Sequence, residues 1–304
     1  MKILKRVLIV VSIIFVFFLG ILFYIGNYLY DYTLNPYSTH YITEKLDMEE
    51  NISLKSRQWL QQESEDAYII SQDHLRLHGY LIEQESTTYI IMVHGYRSEG
   101  AGIIGPIQKF KEKGYNLLIP DLRGHGQSEG DYIGMGWDER LDLLEWINYL
   151  IQKDSHISII LYGISMGGAT VMNTAGENLP QQVKAVIEDC GYTSVWDVFK
   201  AHIDMNDIES EIALHMASLV TFIRAGYRLE DASPLSQVRK CHIPILFIHG
   251  SADDFVPCKM VNQLYDAANE PKEKLIIEGA GHADCSSNKT IYYQEIFAFI
   301  KKYN

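Results

Sequence analysis

The sequence predicts an α/β fold, in which helices flank a mostly parallel central sheet on both faces, preceded by one N-terminal transmembrane helix. Short, near-continuous runs of Val, Ile and Leu alternate with stretches whose apolar residues recur at helical spacing. Strands this apolar are typical of sheets buried on both faces, and strand–helix alternation is typical of parallel sheets. The first 30 residues form a separate apolar block.

Residues 1–30 are predicted to be a signal-anchor transmembrane segment. The run from Val7 to Ile25 is nineteen residues long and has no charge; as a helix it spans roughly 28 Å, close to the thickness of a bilayer core. No Lys or Arg follows it until Lys45. The basic residues that precede it are Lys2, Lys5 and Arg6. The positive-inside rule therefore predicts a single-pass protein of the cell membrane, with a cytoplasmic N-terminus and an extracytoplasmic C-terminal bulk.

A cleaved signal peptide, which would leave a secreted protein, is the alternative. The apolar run is longer than the roughly 7 to 15 residues of such a peptide. The following segment, residues 23–32, contains no small-x-small cleavage site. These two features favour an uncleaved anchor, and in either case the bulk of the chain is exported.

Composition excludes several function classes. The chain has 304 residues, 47% of them hydrophobic, and a formal net charge of −13, so it can bury a large core but offers no basic face for nucleic acid. The four cysteines have no C-x-x-C spacing, and a zinc or redox site therefore has no support. We expect no cofactor and no metal. The cysteines are expected to be buried free thiols.

The connecting region, residues 31–66, is polar and Tyr-rich, with a short helix expected near 44–62. Two alternating strands follow with a turn at Gln72-Asp73, which is a hairpin signal. His74 and His78 are expected on one face of the second strand, as ordinary strand residues rather than metal ligands.

The rest of the chain alternates between strands and helices. The predicted strands are residues 89–94, 116–120, 157–163, 184–189, 244–250 and 274–279. The predicted helical stretches are residues 103–114, 136–153, 165–179, 257–269 and 288–304. A mostly helical insertion at about 195–236 interrupts this alternation, and insertions of this length are often functional. Its large apolar residues have two alternative expected roles. They line a pocket under a lid, or, as we expect for most of them, they pack the insertion onto the sheet. These residues are Trp196, Phe199, Met205, Met216, Phe222 and Tyr227.

Glycine-rich turns with polar side chains follow the predicted strands. Ligands of such sheets bind beyond the carboxyl ends of the strands, so these turns predict a functional site. The motifs are His94-Gly95, Asp121-x-Arg123-Gly124-His125-Gly126-x-Ser128, Gly163-x-Ser165-x-Gly167, His249-Gly250-x-x-Asp253-x-x-Val256-Pro257 and Gly281-His282.

In these motifs and their order, the chain resembles the α/β-hydrolase family from about residue 67 to the end. The order Ser, then Asp, then His is the one that the family's motif requires. The chain is most similar to bacterial, often membrane-anchored, lipase/esterase-like and serine-aminopeptidase-like members. The resemblance implies an α/β-hydrolase domain over 67–304, with residues 195–236 as a cap insertion.

Three of these residues form a predicted catalytic triad. A serine hydroxyl is a weak nucleophile at neutral pH and must pass its proton to a base. Ser165 is the predicted nucleophile, on a strained turn made possible by its flanking glycines. His282 is the predicted base, and Asp253 is expected to orient its imidazole and stabilise the imidazolium.

The resemblance also implies an oxyanion hole formed by the backbone N–H groups of Tyr96 and Met166. Asp254 and Asp189 are alternatives to Asp253 as the acid. The other strand-end residues are expected to brace loops, as they do in the family: His94, Asp121, Arg123, His125 and His249. A Cys258–Cys285 bridge between the acid and base loops is a minor possibility.

The sequence therefore predicts a serine hydrolase that cleaves carboxylic esters or related acyl bonds through an acyl-enzyme. A serine peptidase of the aminopeptidase or acylaminoacyl-peptidase type is the alternative on the same triad. A non-catalytic cell-surface protein on a hydrolase scaffold is the alternative of another class. The expected partners are a small acyl ester or peptide substrate and the lipid bilayer, and no nucleic acid. Specificity is expected to depend on the insertion and on residues 96–105.

Overall fold

The computed structural model describes residues 2–38, 54–203 and 208–304. It contains an eight-stranded sheet in the order β1-β2-β4-β3-β5-β6-β7-β8. Strand β2 is antiparallel to both β1 and β4, and the other neighbours are parallel. The strands are β1 Glu65–Ile70, β2 Arg76–Ile82, β3 Thr88–Val93, β4 Asn116–Pro120, β5 Ser158–Ile164, β6 Val183–Asp189, β7 Ile245–Gly250 and β8 Lys272–Ile277. The predicted mostly parallel sheet is thus confirmed.

Helices cover both faces of this sheet. Along β3, Ile91 and Val93 face one hydrophobic core, and Ile90 and Met92 face the other, as the two-residue period of a strand requires. The α-helices of the described residues are α1 Lys2–Thr33, α2 Leu54–Glu63, α3 Ile104–Glu112, α4 Glu139–Lys153, α5 Met166–Ala175, α6 Val195–Ala201, α7 Ile208–Ala225, α8 Pro234–Val238, α9 Lys259–Ala267 and α10 Lys289–Tyr303. Helices α4, α5 and α9 contribute to the first core, and α2, α3 and α10 to the second.

The predicted hairpin is present, with one correction. Strands β1 and β2 pair in register from Glu65 opposite Leu81 to Ile70 opposite Arg76. His74 is in the turn, with a φ of 71°, and does not share a strand face with His78 as predicted. Of the helix expected near 44–62, residues 54–62 lie in α2, and residues 44–53 lie outside the described residues.

Helix α1 contains the apolar N-terminal run. Its segment Ile3–Thr33 is long and apolar enough to cross a membrane, with a hydropathy of 3.1 over its most apolar window, none of which is buried. The C-terminal turns of α1 are not exposed in this way. Tyr30, and Leu34 directly after the helix, are buried in the first core. The helix therefore has an exposed apolar part and a docked part.

In its described residues, the 195–236 insertion is mostly helical, as expected, and contains α6, α7 and the start of α8. Helix α6 begins at a capped turn, where the Ser194 side chain accepts the Asp197 N–H. Helix α7 packs beside the docked part of α1. Of the six large residues singled out in the insertion, Met205 lies outside the described residues. Tyr227 is buried in the core and Phe222 is exposed.

Candidate active site

Ser165 lies on a sharp turn between β5 and α5. Its φ of 57° and ψ of −119° are strained for a residue with a side chain. The turn requires its two glycines, because a Cβ on Gly163 would overlap the Gly167 backbone and a Cβ on Gly167 would overlap the Val93 backbone. The strand and the helix therefore approach closely, and the serine side chain projects from the carboxyl edge of the sheet.

Ser165, His282 and Asp253 form one hydrogen-bonded chain. The Ser165 Oγ lies 2.8 Å from Nε2 of His282, and Nδ1 of the same ring lies 2.8 Å from Oδ2 of Asp253. The side chain of His282 is 21% exposed and that of Asp253 is fully buried. The loops after β5, β7 and β8 bring the three residues together across 117 positions of sequence.

Asp253, rather than its two alternatives, contacts the imidazole. Its Oδ1 accepts backbone N–H groups of the next turn at 3.0 and 2.8 Å. Burial opposes ionisation of Asp253, but hydrogen bonds from His249 and His282 outweigh it and hold the pKa of this carboxyl well below its usual range. Asp254 is exposed. Asp189 is buried and accepts the Tyr292 hydroxyl proton at 2.7 Å.

His249 is a second histidine on the same carboxylate. Its Nε2 lies 3.3 Å from Oδ2 of Asp253 and 2.8 Å from the Val256 carbonyl oxygen. From the sequence, His249 was expected only to brace a loop. Its contact with Asp253 could have been predicted from the spacing of four residues between them at a strand end.

The other two strand-end histidines contact backbone atoms. Nε2 of His94 accepts the Leu122 N–H at 3.1 Å, and Nε2 of His125 accepts the Arg97 N–H at 3.1 Å. Both rings therefore connect the loop after β3 to the loop after β4. This arrangement is what loop bracing requires.

Tyr96 and Met166 lie on the two backbone segments next to the serine. Met166 begins α5, so its N–H is in the first helical turn, where no intrahelical acceptor exists. The loop that contains Tyr96 passes close to Ser165, because a Cβ built on Gly95 would be 3.4 Å from the Ser165 Cβ. Two backbone segments therefore flank the space in front of the serine, as an oxyanion hole requires.

A cavity of about 280 Å³ opens beside Ser165 and His282. Small and apolar residues of the segment after β3 line much of it: Gly95, Tyr96, Ser98, Gly102, Ile103 and Pro106. The large insertion residues that the structure describes do not line this cavity. The Phe255 ring contacts the rings of His202 and His282, with centroid distances of 4.7 and 4.9 Å. This contact was not predicted from the sequence.

The cysteines do not form the bridge that was considered. All four are free. Cys285 is buried, whereas Cys258 lies half-buried at the start of α9. Within the described residues, donor atoms of Cys190, Asp253 and His282 lie within 4.8 Å of one another. Two of these residues are already hydrogen-bonded to each other, so a cation here would compete with that bond.

Two protein-family models match the chain. The serine aminopeptidase S33 model matches residues 84–197, and the BD-FAE model matches residues 148–268. Together they span the elbow, the insertion and the acid loop.

Similar proteins and structures agree with these matches. The chain is 30% identical to YqkD of Bacillus subtilis over 74% of this chain and 75% of that protein. It is 25% identical to YfhR of Escherichia coli K12 over 78% of this chain and 80% of that protein.

Solved structures are similar to the same part of the fold. An esterase of Pyrococcus furiosus, Pf2001, superposes with a TM-score of 0.65 at 22% identity, over 79% of this chain and 93% of that one. An acylaminoacyl peptidase of Pyrococcus horikoshii superposes with a TM-score of 0.58 at 18% identity, over 78% of this chain and 41% of that one. The sequence relatives, the family models and the fold agree with the motifs at the strand ends, and this chain belongs to the α/β-hydrolase family of enzymes.

Proposed function

We propose that this protein is a serine hydrolase that cleaves carboxylic esters or related acyl bonds through a covalent acyl-enzyme. The observation that supports this most strongly is the hydrogen-bonded chain from Ser165 through His282 to Asp253, at the mouth of a small cavity. A hydroxyl, an imidazole and a buried carboxylate in this order are the groups that nucleophilic acyl transfer needs.

In the proposed reaction, the Ser165 Oγ attacks the substrate carbonyl carbon while Nε2 of His282 takes the hydroxyl proton. The carbonyl electrons move onto oxygen, and the N–H groups of Tyr96 and Met166 stabilise that oxyanion. When the bond to the leaving group breaks, the imidazolium returns its proton to the leaving group. A water molecule then attacks the acyl-enzyme by the same route, which releases the acid and restores the serine hydroxyl.

The lining of the cavity favours a neutral acyl group. None of the described lining residues is an Asp or Glu, and an aminopeptidase needs an anionic group to bind the α-ammonium of its substrate. The volume of about 280 Å³ is at the small end of ligand pockets. We therefore propose short acyl esters as substrates. Acylaminoacyl peptides, whose N-terminus is blocked and uncharged, are the second candidate, since the acylaminoacyl peptidase named above has the same fold.

We further propose that α1 anchors the enzyme in the cell membrane as a single span, with the N-terminus in the cytoplasm and the catalytic domain outside. The charge asymmetry around the apolar run supports this orientation. The proposed domain division is residues 1–30 as the anchor, 31–66 as the connection and 67–304 as the hydrolase domain with its cap insertion.

The test of the proposed function is Ser165→Ala in the full-length protein, assayed with a short acyl ester and with a fluorophosphonate probe. Turnover and labelling should both be lost, because no other group supplies the nucleophile. The matched control is Ser286→Ala, which changes another serine of the same cavity and should retain both. Retained turnover in Ser165→Ala would exclude the mechanism, and absence of labelling in the wild type would favour the non-catalytic alternative.

Substrate class is then resolved by competition. The membrane fraction is incubated with a panel of acyl esters, acylaminoacyl amides and free aminoacyl amides before the fluorophosphonate probe is added. Protection by acyl esters is expected. Protection by free aminoacyl amides alone would contradict the ester proposal, because it requires an ammonium-binding group.

A further inference from the structure

The last turns of α1 pack closely against the cap helix α7. Gly26 lies so near α7 that a Cβ on it would be 2.7 Å from the Met216 carbonyl oxygen and 2.8 Å from the Val220 Cγ2. Further along both helices, Arg224 donates a hydrogen bond to Asp31 at 2.8 Å. The contacts occur in the same order along the two helices, so α1 and α7 run in parallel and pack over more than one turn.

The end of α1 also reaches the loop that follows β3. The Tyr96 hydroxyl donates to the Thr33 carbonyl oxygen, and Nη2 of Arg97 donates to the Tyr32 carbonyl oxygen at 3.0 Å. The last carbonyls of a helix have no intrahelical donor, so these side chains satisfy groups that would otherwise be unpaired. Leu34, directly after the helix, is 1% exposed. Both residues that follow Gly95 are therefore attached to the end of α1.

We infer that the last turns of α1 are a positioning element of the active site. They hold in place the loop whose Tyr96 N–H donates a hydrogen bond to the oxyanion. This inference rests on the proposed function. An oxyanion donor acts only when it lies about 2.7–3.1 Å from the developing charge, and a displacement of about 1 Å lowers rates by up to about a hundredfold. The full rate of hydrolysis therefore requires that the last turns of α1 are docked.

Displacement of the Tyr96 loop should affect kcat and KM differently. Loosening the end of α1 should lower kcat and leave KM little changed, because the oxyanion contact forms only in the transition state. A boronic acid, which forms a tetrahedral adduct on serine, should lose affinity by the same factor as kcat. A general loss of folded protein would lower the amount of active enzyme but would not change boronic acid affinity per site.

The test compares two glycines of the same helix in the full-length, membrane-embedded protein. Gly26→Ala places a methyl group against the α7 backbone, whereas Gly20→Ala places it where no atom lies within 4 Å. For Gly26→Ala we expect kcat for a short acyl ester to fall by about tenfold to a hundredfold, with a parallel loss of boronic acid affinity. Gly20→Ala should match the wild type in both.

Tyr96→Phe is the second variant, because it keeps the ring and the backbone N–H but removes the bond to Thr33. Tyr24→Phe, at a tyrosine that is 72% exposed on the same helix, is its control. Tyr96→Phe should lower kcat and boronic acid affinity in parallel, and Tyr24→Phe should not. If Gly26→Ala is not recovered in membranes, the kcat and boronic acid affinity of Tyr96→Phe decide whether the inference holds.

The outcomes separate the inference from the function on which it rests. If Gly26→Ala and Tyr96→Phe keep the wild-type kcat and boronic acid affinity while Ser165→Ala is inactive, the inference is overturned and the proposed function stands. A rise in KM with kcat unchanged also overturns it. If Ser165→Ala retains the activity, the proposed function fails and the inference fails with it.

Discussion

At the residue scale, the two adjacent aspartates after β7 have opposite environments. Asp253 is buried and bonds to both His282 and His249, whereas Asp254 is exposed. The same chemical change at the two positions therefore tests which carboxylate orients the base.

We predict that Asp253→Asn lowers kcat by about 10³- to 10⁴-fold, because an amide does not stabilise the imidazolium and favours the wrong imidazole tautomer. Asp254→Asn should change kcat less than about twofold. Steady-state kinetics on both purified variants, with circular dichroism to verify folding, checks this. Equal effects of the two substitutions would contradict the assignment of Asp253 as the acid.

Glu188 is a second residue whose environment has a measurable consequence. One of its carboxylate oxygens accepts the Gly191 N–H at 2.9 Å, and the other has no hydrogen-bond partner within the described part of the chain. Desolvation by burial raises the pKa of Glu188 from 4.5 to about 8. The unfolded chain therefore loses this proton at a lower pH than the folded protein does.

It follows that stability contributed by protonated Glu188 is fully present below about pH 4.5 and is lost as the pH rises toward about 8. We predict that Glu188→Gln becomes increasingly stable relative to the wild type between these values, by on the order of 5 kcal/mol in total. Apparent Tm measured in detergent across this range checks it. A stability difference for Glu188→Gln that does not change with pH would refute the prediction.

The sharp turn at Ser165 was predictable, because its flanking glycines act locally, and the structure shows the strained turn. The contacts of His249 and Phe255 with Asp253 and His282 were not predicted, because they depend on how two loops face each other. The prediction that His74 lies on the strand was wrong, because this residue is in the turn and the strand begins after it.

At the scale of elements, the loop after β4 is held to α4 by a buried ion pair. Arg123 donates to both carboxylate oxygens of Asp142 at 2.7 Å, and the two side chains are 3% and 4% exposed. Neither side chain contacts the serine, so the pair acts on the scaffold.

Arg123→Met should destabilise the protein by about 3–5 kcal/mol, because it leaves the Asp142 carboxylate buried without its partner. Lys109→Met is the control, since the Lys109–Glu112 pair lies on the surface and should contribute less than about 1 kcal/mol. Thermal unfolding in detergent measures both. A loss as small for Arg123→Met as for Lys109→Met would contradict the prediction.

The strands and most helices were predictable because their periodicity is local. Strand β4 matches its predicted bounds, and the other strands of the parallel region differ by only one or two residues at each end. The docking of α1 on α7 was not predictable, because the apolar residues of α1 do not distinguish a lipid-facing turn from a packed one. The partners Gly26 and Met216 are far apart in the chain, and only the folded structure relates them.

At the scale of the whole molecule, the two ends of α1 have different surroundings. Its first turns are apolar and exposed, as a membrane span requires. Its last turns belong to the hydrolase core, where Tyr30 and Leu34 are buried. A cleavage site just after the apolar run would fall at Gly26, where α1 is packed against α7, and for this reason we favour an anchor that is retained.

We predict that the protein expressed in bacteria retains residues 1–30, resists extraction by alkaline carbonate and has its C-terminus outside the cell membrane. The basic N-terminal residues favour the cytoplasm, and a cleavage site after the apolar run would lie in turns of α1 that are packed against α7 and the core. Intact-mass measurement checks retention. A C-terminal alkaline phosphatase fusion should be active and a C-terminal green fluorescent protein fusion dark. A mature N-terminus after residue 25, or the opposite pair of reporter signals, would contradict this arrangement.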